Sequence, residues 1–241
     1  MSKNSKGTAV PPKAVNHLGR LVYEPQTWRQ ELGSFGGRVA RYKQSRHGLI
    51  RAFDPVRNCN VAFKKPIHFE HWLSLFLDPE VGEIEIYPEP LQIIDEGRVR
   101  TAHYHFRWCR LSDGKSVLDF VAEPQHDEDF NIKQYAIAAA HNHQPRIINS
   151  KYIREQKIFI DNCDHARRLM TSRIGLDCTL KREWVLDVCR SEASISRQDL
   201  LLKLFNEDEL DYALFWLYRQ GFVRFNLKEA IYGNSTWIYA A

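Results

Sequence analysis

The segment from Lys64 to Glu123 constrains the chain most, because within it the apolar pattern changes from a helical period to an extended one. Phe69, Trp72, Leu73 and Phe76 recur at i, i+3, i+4 and i+7, which predicts a helix with one buried stripe. Glu70 lies one step round from that stripe, where a helix can aim a carboxylate along the edge of a sheet. The helix is predicted to end at Asp78-Pro79-Glu80-Val81, and strands are expected at 83–86 and 91–94, separated by Pro88 and Pro90. A longer hairpin follows. It runs out through Ala102-His103-Tyr104-His105-Phe106, turns at Ser112-Asp113-Gly114-Lys115 and returns from Ser116 to Pro124. In an extended return strand Asp119, Val121 and Glu123 share one face.

Around this segment the pattern continues. Strands are expected at 48–53 and 60–63 about the Asp54-Pro55 turn, and a short helix at 26–32 ahead of Gly33-Ser34-Phe35-Gly36-Gly37. Further on come a helix at 132–141, a strand at 146–149 and a helix at 153–170 packing through Ile158, Phe159 and Cys163. That order implies an α/β fold with one mixed sheet flanked by helices. From about Met170 the style changes. A helix is expected at 182–189, and Ser196-Arg197-Gln198-Asp199 has the pattern of a capping box. Asn206 with Glu209 caps the next helix, whose Leu210, Ala213, Leu214 and Leu217 share a face and which Gly221 ends. Strands at 222–225 and 236–239 complete three helices and a hairpin, the layout of a small winged-helix domain. The expected organisation is a flexible basic arm at 1–18, an α/β domain at 19–169 and the winged helix at 170–241.

Charge is distributed unevenly. The formal net charge is +4, yet residues 1–66 hold thirteen Lys or Arg against three acids, a balance of +10, so the remainder carries −6. Arg38, Arg41, Lys43, Arg46, Arg51, Lys64 and Lys65 are interleaved with Phe35, Tyr42, Phe53 and Phe63. Basic side chains neutralise phosphates while aromatic rings stack on bases, so DNA is the expected partner of this end. Five cysteines without any C-x-x-C spacing are expected to be reduced thiols and give no zinc site. His103 with His105 and His141 with His143 are i, i+2 pairs, open to reading as polar surface histidines or as an incidental metal contact. No apolar run is long enough to span a membrane, and the opening residues lack the apolar core of a signal peptide. The expected address is the cytoplasm.

The acid-bearing helix ending in Asp78-Pro79-Glu80-Val81, the Ile86-Tyr87-Pro88-Glu89-Pro90-Leu91 junction and the Gly-turn hairpin come in a fixed order. The step Ile147-Ile148-Asn149-Ser150-Lys151-Tyr152-Ile153-Arg154 and the terminal winged helix follow them. In that order and spacing, from about Arg46 to Tyr239, the chain resembles the TnsA family, endonuclease subunits of heteromeric transposases. The resemblance implies a restriction-endonuclease-like core of the PD-(D/E)xK type, located with prokaryotic DNA. It also implies transposon-end DNA, a partner transposase and an AAA+ ATPase regulator as partners. In such enzymes carboxylates hold magnesium or manganese, which polarises the phosphate and activates water. Carried over position by position, the helix acid falls on Glu70, the hairpin aspartate on His105, the second acid on Val121 and the lysine on Glu123.

Only Glu70 keeps the family's residue. Three readings stay open. In the first the subunit binds DNA and partner proteins without a metal or cleavage. In the second Glu70, Asp119 and Glu123 form a rearranged site that holds magnesium or manganese, with Lys115 or Lys133 lending the positive charge. A winged-helix regulator with an unrelated N-terminal domain is the third. Residues 207–220 are expected to expose Glu207, Asp208, Glu209 and Asp211 against a single Arg219, which favours protein over DNA as the contact of this helix.

Overall fold

The computed structural model describes residues 14–15, 21–22, 49–122, 128–203 and 206–241. The short strands β1 (Ala14–Val15) and β2 (Leu21–Val22) pair antiparallel. A hairpin of β3 (Ile50–Asp54) and β4 (Cys59–Phe63) follows. Its turn is organised by the buried Asp54, which accepts the N–H groups of Val56 and Arg57 at 3.0 Å and the Arg57 Nε–H at 2.6 Å. Helix α1 (Pro66–Leu77) starts on a proline, which loses no hydrogen bond at a first helical position. After β5 (Val81–Ile86) come β6 (Leu91–Asp95) and β7 (Arg98–Ala102), which among the described residues pair only with each other. Glu96 and Gly97 between them both have positive φ, 49° and 73°, as a two-residue hairpin turn demands. Strands β8 (Phe106–Arg110) and β9 (Ser116–Ala122), helix α2 (Glu128–Ala140) and strand β10 (Gln144–Asn149) lead to α3 (Ser150–Glu155) and α4 (Lys157–Ser172).

The main sheet has the order β10-β9-β8-β5, with β10 parallel to β9 and the other pairs antiparallel. Strand β9 is buried from Val117 to Ala122, so apolar cover is needed on both of its faces. On one face Val117 and Val121 join Trp72, Leu73 and Phe76 of α1 in the larger core. On the other, Leu118, Phe120 and Ala122 pack with Ile137 and Ala138 of α2, backed by Leu91 and Ile93. The fold is therefore α/β, a mixed sheet flanked by helices. The out-going hairpin strand is not continuous from Ala102 to Phe106: His103, Tyr104 and His105 lie between β7 and β8.

The C-terminal part runs α5 (Thr179–Ser191), β11 (Ile195–Ser196), α6 (Arg197–Lys203), α7 (Glu207–Arg219), β12 (Val223–Arg224) and β13 (Trp237–Ala240). Its three strands have the order β11-β13-β12. The expected caps are present. Ser196 Oγ accepts the Asp199 N–H at 3.1 Å, Asn206 Oδ1 accepts the Glu209 N–H at 3.1 Å, and Gly221 sits at φ 73°.

The exposed face expected for α7 differs. Asp211 and Arg219 are buried, because α7 is enclosed by α4, α5 and α1 rather than resting on one neighbour. Arg219 donates to the Val81 carbonyl at 2.5 Å, and Asp211 receives Arg197 through two hydrogen bonds of 2.7 Å and the Tyr232 hydroxyl at 2.6 Å. The larger core is continuous from α1 through α4 to α7 and Ile238. The division expected between 169 and 170 falls inside α4. Among the described residues no helix is long and apolar enough to cross a membrane.

Burial of the Arg197–Asp211 pair makes it sensitive to truncation. Asp211→Ala leaves a buried guanidinium without its main partner and is expected to lower unfolding free energy by about 3–5 kcal/mol in urea titrations. Glu207→Ala removes an exposed partner of the same arginine and should cost under about 1 kcal/mol. Equal effects from the two would contradict the assignment.

Candidate functional site

Strand β9 places Asp119 opposite Phe106 of β8 and Arg146 of β10, with its side chain on the face that α1 covers. The carboxylate has no exposed surface. Oδ2 accepts His71 Nε2–H at 2.9 Å, Trp108 Nε1–H at 2.9 Å and Arg146 Nη2–H at 2.8 Å, while Oδ1 accepts Arg146 Nε–H at 2.7 Å. A carboxylate can only accept, so the His71 proton must sit on Nε2. Burial pushes the Asp119 pKa up, but the hydrogen bonds from His71 and Arg146 outweigh it and hold the group below its ordinary 3.8. The Arg146 guanidinium also lies 4.8 Å from the Trp108 ring centroid. One side chain thus ties α1, β8, β9 and β10 together.

Two residues along β9, the Val121 N–H donates to His105 Nδ1 at 2.8 Å. The imidazole occupies the place in the ladder where a strand carbonyl would otherwise accept. His105 is held by its backbone as well: its N–H donates to the Asp119 carbonyl and its carbonyl accepts the Tyr87 N–H, both at 2.8 Å. The ring lies between Phe120, at 4.7 Å and 24° between planes, and His68, at 4.1 Å and 34°. Tyr87, at φ 52°, turns its hydroxyl to within 2.9 Å of His68 Nδ1, and that hydroxyl accepts the Lys64 N–H at 2.6 Å. The Lys64 ammonium stands 4.5 Å from the Tyr87 ring centroid. Burial, followed by the neighbouring His68, Lys65, Lys64 and His71, pushes the His105 pKa from 6.5 down to about 2. The ring is neutral, and because Nδ1 accepts, its proton is on Nε2.

The structure therefore brings His105 and Val121 together, at the end of the sheet where the resemblance sets two acids. Glu70 stands half-exposed on α1. Its charge acts on Lys157 at the start of α4, after the stronger hold of Asp161. Arg51 is exposed on β3, Lys65 is exposed and Lys64 half-buried just ahead of α1. Glu123 lies outside the described residues, as do Arg38, Arg41, Lys43 and Arg46 and the helix expected at 26–32. Of the histidine pairs, His103 is exposed, and His141 Nε2 lies 3.0 Å from the Gln92 carbonyl, joining the end of α2 to β6. Among the described residues no three or more His, Cys, Asp or Glu side chains are grouped to hold a metal.

Magnesium or manganese needs hard oxygen donors. Apart from the half-exposed Glu70, the mapped positions among the described residues offer a neutral imidazole protonated on Nε2 and an aliphatic side chain, and the Asp119 oxygens already take four donors. These groups do not fit either cation. His68, His71, Tyr87, Trp108 and Arg146 were not anticipated from the sequence. The signal for two of them was there: His68 and His71 stand at i and i+3 on α1, beside Glu70. No protein-family model and no curated protein matches the chain.

The neutral His105 makes stability depend on pH in one direction. Between its ordinary 6.5 and about 2 the unfolded chain binds a proton that the folded chain refuses, so stability falls as pH drops below 6.5. The slope contributed is at most about 1.4 kcal/mol per pH unit. Urea titrations between about pH 7.5 and 5 should show a shallower dependence in His105→Phe than in the wild type, by up to about one proton. His143, whose pKa burial also lowers with Arg107 and His141, gives the same background in both chains. An identical slope in the variant would show that His105 titrates normally.

Proposed function

We propose that the chain is a TnsA-like subunit of a DNA transposition complex, which binds transposon-end DNA and partner proteins and does not itself cut. The observation that carries this reading is the packing of His105: the position that needs a metal-binding aspartate holds a neutral ring whose Nδ1 is spent on the Val121 N–H. The surrounding charge is positive, from Lys64 and Lys65, where a bound cation requires it to be negative. A restriction-endonuclease-like core is supported by the mixed sheet with α1 over β9 and by the hairpin that sets His105 beside Val121.

The C-terminal element order, helix-strand-helix-helix-strand-strand with sheet order β11-β13-β12, supports a winged helix. Its third helix, α7, is enclosed by α4, α5 and α1. The acids of its first turn are engaged: Glu207 with Arg197, Asp208 with Arg173 and Glu209 with Lys181. A helix so enclosed does not enter a major groove. The domain is accordingly assigned to contact with a partner transposase or AAA+ ATPase, and the DNA to the basic region that includes Arg51, Lys64 and Lys65. The subunit works in the prokaryotic cytoplasm, at the nucleoid.

Two measurements test this. Purified protein with magnesium or manganese and transposon-end duplex should leave both strands intact, and should add no cut to those its transposase makes, while still binding in EDTA. Cleavage that Glu70→Ala abolishes would overturn the reading. The triple substitution Arg51→Gln, Lys64→Gln, Lys65→Gln should reduce the slope of log K against log salt by about 2–3, one phosphate contact per residue. An unchanged slope removes these three from the interface.

A further inference from the structure

The His105 ring has one edge in the sheet and the other directed away from it. Nδ1 faces β9, where it accepts the Val121 N–H, and both ring faces are covered, by Phe120 and His68. The opposite edge carries Nε2, which holds the proton of the neutral ring and makes no hydrogen bond within the described residues. The side chain is half-buried rather than sealed, and Nε2 is not among the sealed, unpartnered side-chain nitrogens of the described residues, so this donor keeps some exposure. Lys64 and Lys65 stand near enough to act on the ring electrostatically, as do His68 and His71. Asp119, the nearest acid on β9, is turned to Arg146, His71 and Trp108. The result is a rigid N–H donor in a positive surrounding, which is the chemistry of an anion site.

We propose that His105 Nε2–H, flanked by Lys64 and Lys65, binds a DNA backbone phosphate directly, at the place where the resembling enzymes hold one through a metal ion. At this position the attraction that a metal would supply through charge is supplied by a fixed N–H bond. Its orientation is set before binding, since rotation of the ring would break the Val121 contact and the stacking on Phe120. The proposal rests on the DNA-binding reading above and adds the phosphate subsite to it.

The test uses the full chain in EDTA, with a fluorescent transposon-end duplex followed by anisotropy, and selectively 15N-histidine-labelled chain titrated with inorganic phosphate. His105→Phe keeps the stacking and removes the donor; it should weaken duplex binding by about tenfold, the usual weight of one hydrogen bond to a charged group. In the wild type the His105 Nε2 resonance should shift on adding phosphate while the ring stays in the Nε2–H form. Since the substitution also leaves the Val121 N–H without its acceptor, the labelled wild-type chain gives the answer if the variant fails to fold. Equal duplex affinity in His105→Phe, or an Nε2 resonance indifferent to phosphate, overturns the subsite. If wild-type chain binds duplex tightly in either of those cases, the DNA-binding reading still stands. Absence of duplex binding with a phosphate-responsive Nε2 sinks the DNA source and keeps the anion site.

Discussion

Moving a carboxylate out of water costs several kcal/mol unless donors replace the hydration it loses. Strand β9 puts Asp119 where that replacement must come from three other elements: His71 from α1, Trp108 from β8 and Arg146 from β10. The sheet order and the seat of α1 on the sheet therefore have to be right together. A register slip of one residue on β9 would send the carboxylate into the Leu118–Phe120–Ala122 core and break every one of these bonds. The same constraint decides what Asp119 can do chemically. An acid that closes the core of the sheet is not an acid available to a cation.

The neighbouring His105 follows the same logic with the opposite sign. A charged imidazole in this place would face Lys64, Lys65, His68 and His71 and would lose Nδ1 as an acceptor for Val121, so the ring stays neutral. Position 105 is thus built for packing and for one outward N–H. A hard cation is disfavoured here by more than the lack of an oxygen ligand: the Val121 amide, the two flanking rings and the lysines form an environment that a cation would have to dismantle.

Much of the fold was legible because its signals were local. The Phe69–Phe76 stripe, the caps at Ser196 and Asn206 and the Gly221 terminator each need only a few neighbouring residues. The β6–β7 hairpin was half missed, although Glu96-Gly97 carries its turn, because Arg98, Val99, Arg100 and Thr101 are exposed and lack an apolar face. The exposure assigned to Asp211 and Arg219 failed for a tertiary reason: a helix enclosed by three others buries positions that a single stripe leaves out. At the site, Glu70, His105 and Asp119 were singled out from their places in the pattern, but not their roles. Whether Asp119 points at a cation or at Arg146 depends on which residue β10 brings opposite it. That pairing joins strands separated by the whole of α2.

On this reading the end of β9 repels hard cations. Electron paramagnetic resonance of manganese added to the full chain with transposon-end duplex tests it most directly, since the six-line signal of the free ion collapses when protein carboxylates hold it. The same free-ion signal is expected for the wild type and for Glu70→Ala, each with duplex. Stoichiometric loss of that signal in the wild type, restored by Glu70→Ala, would contradict it.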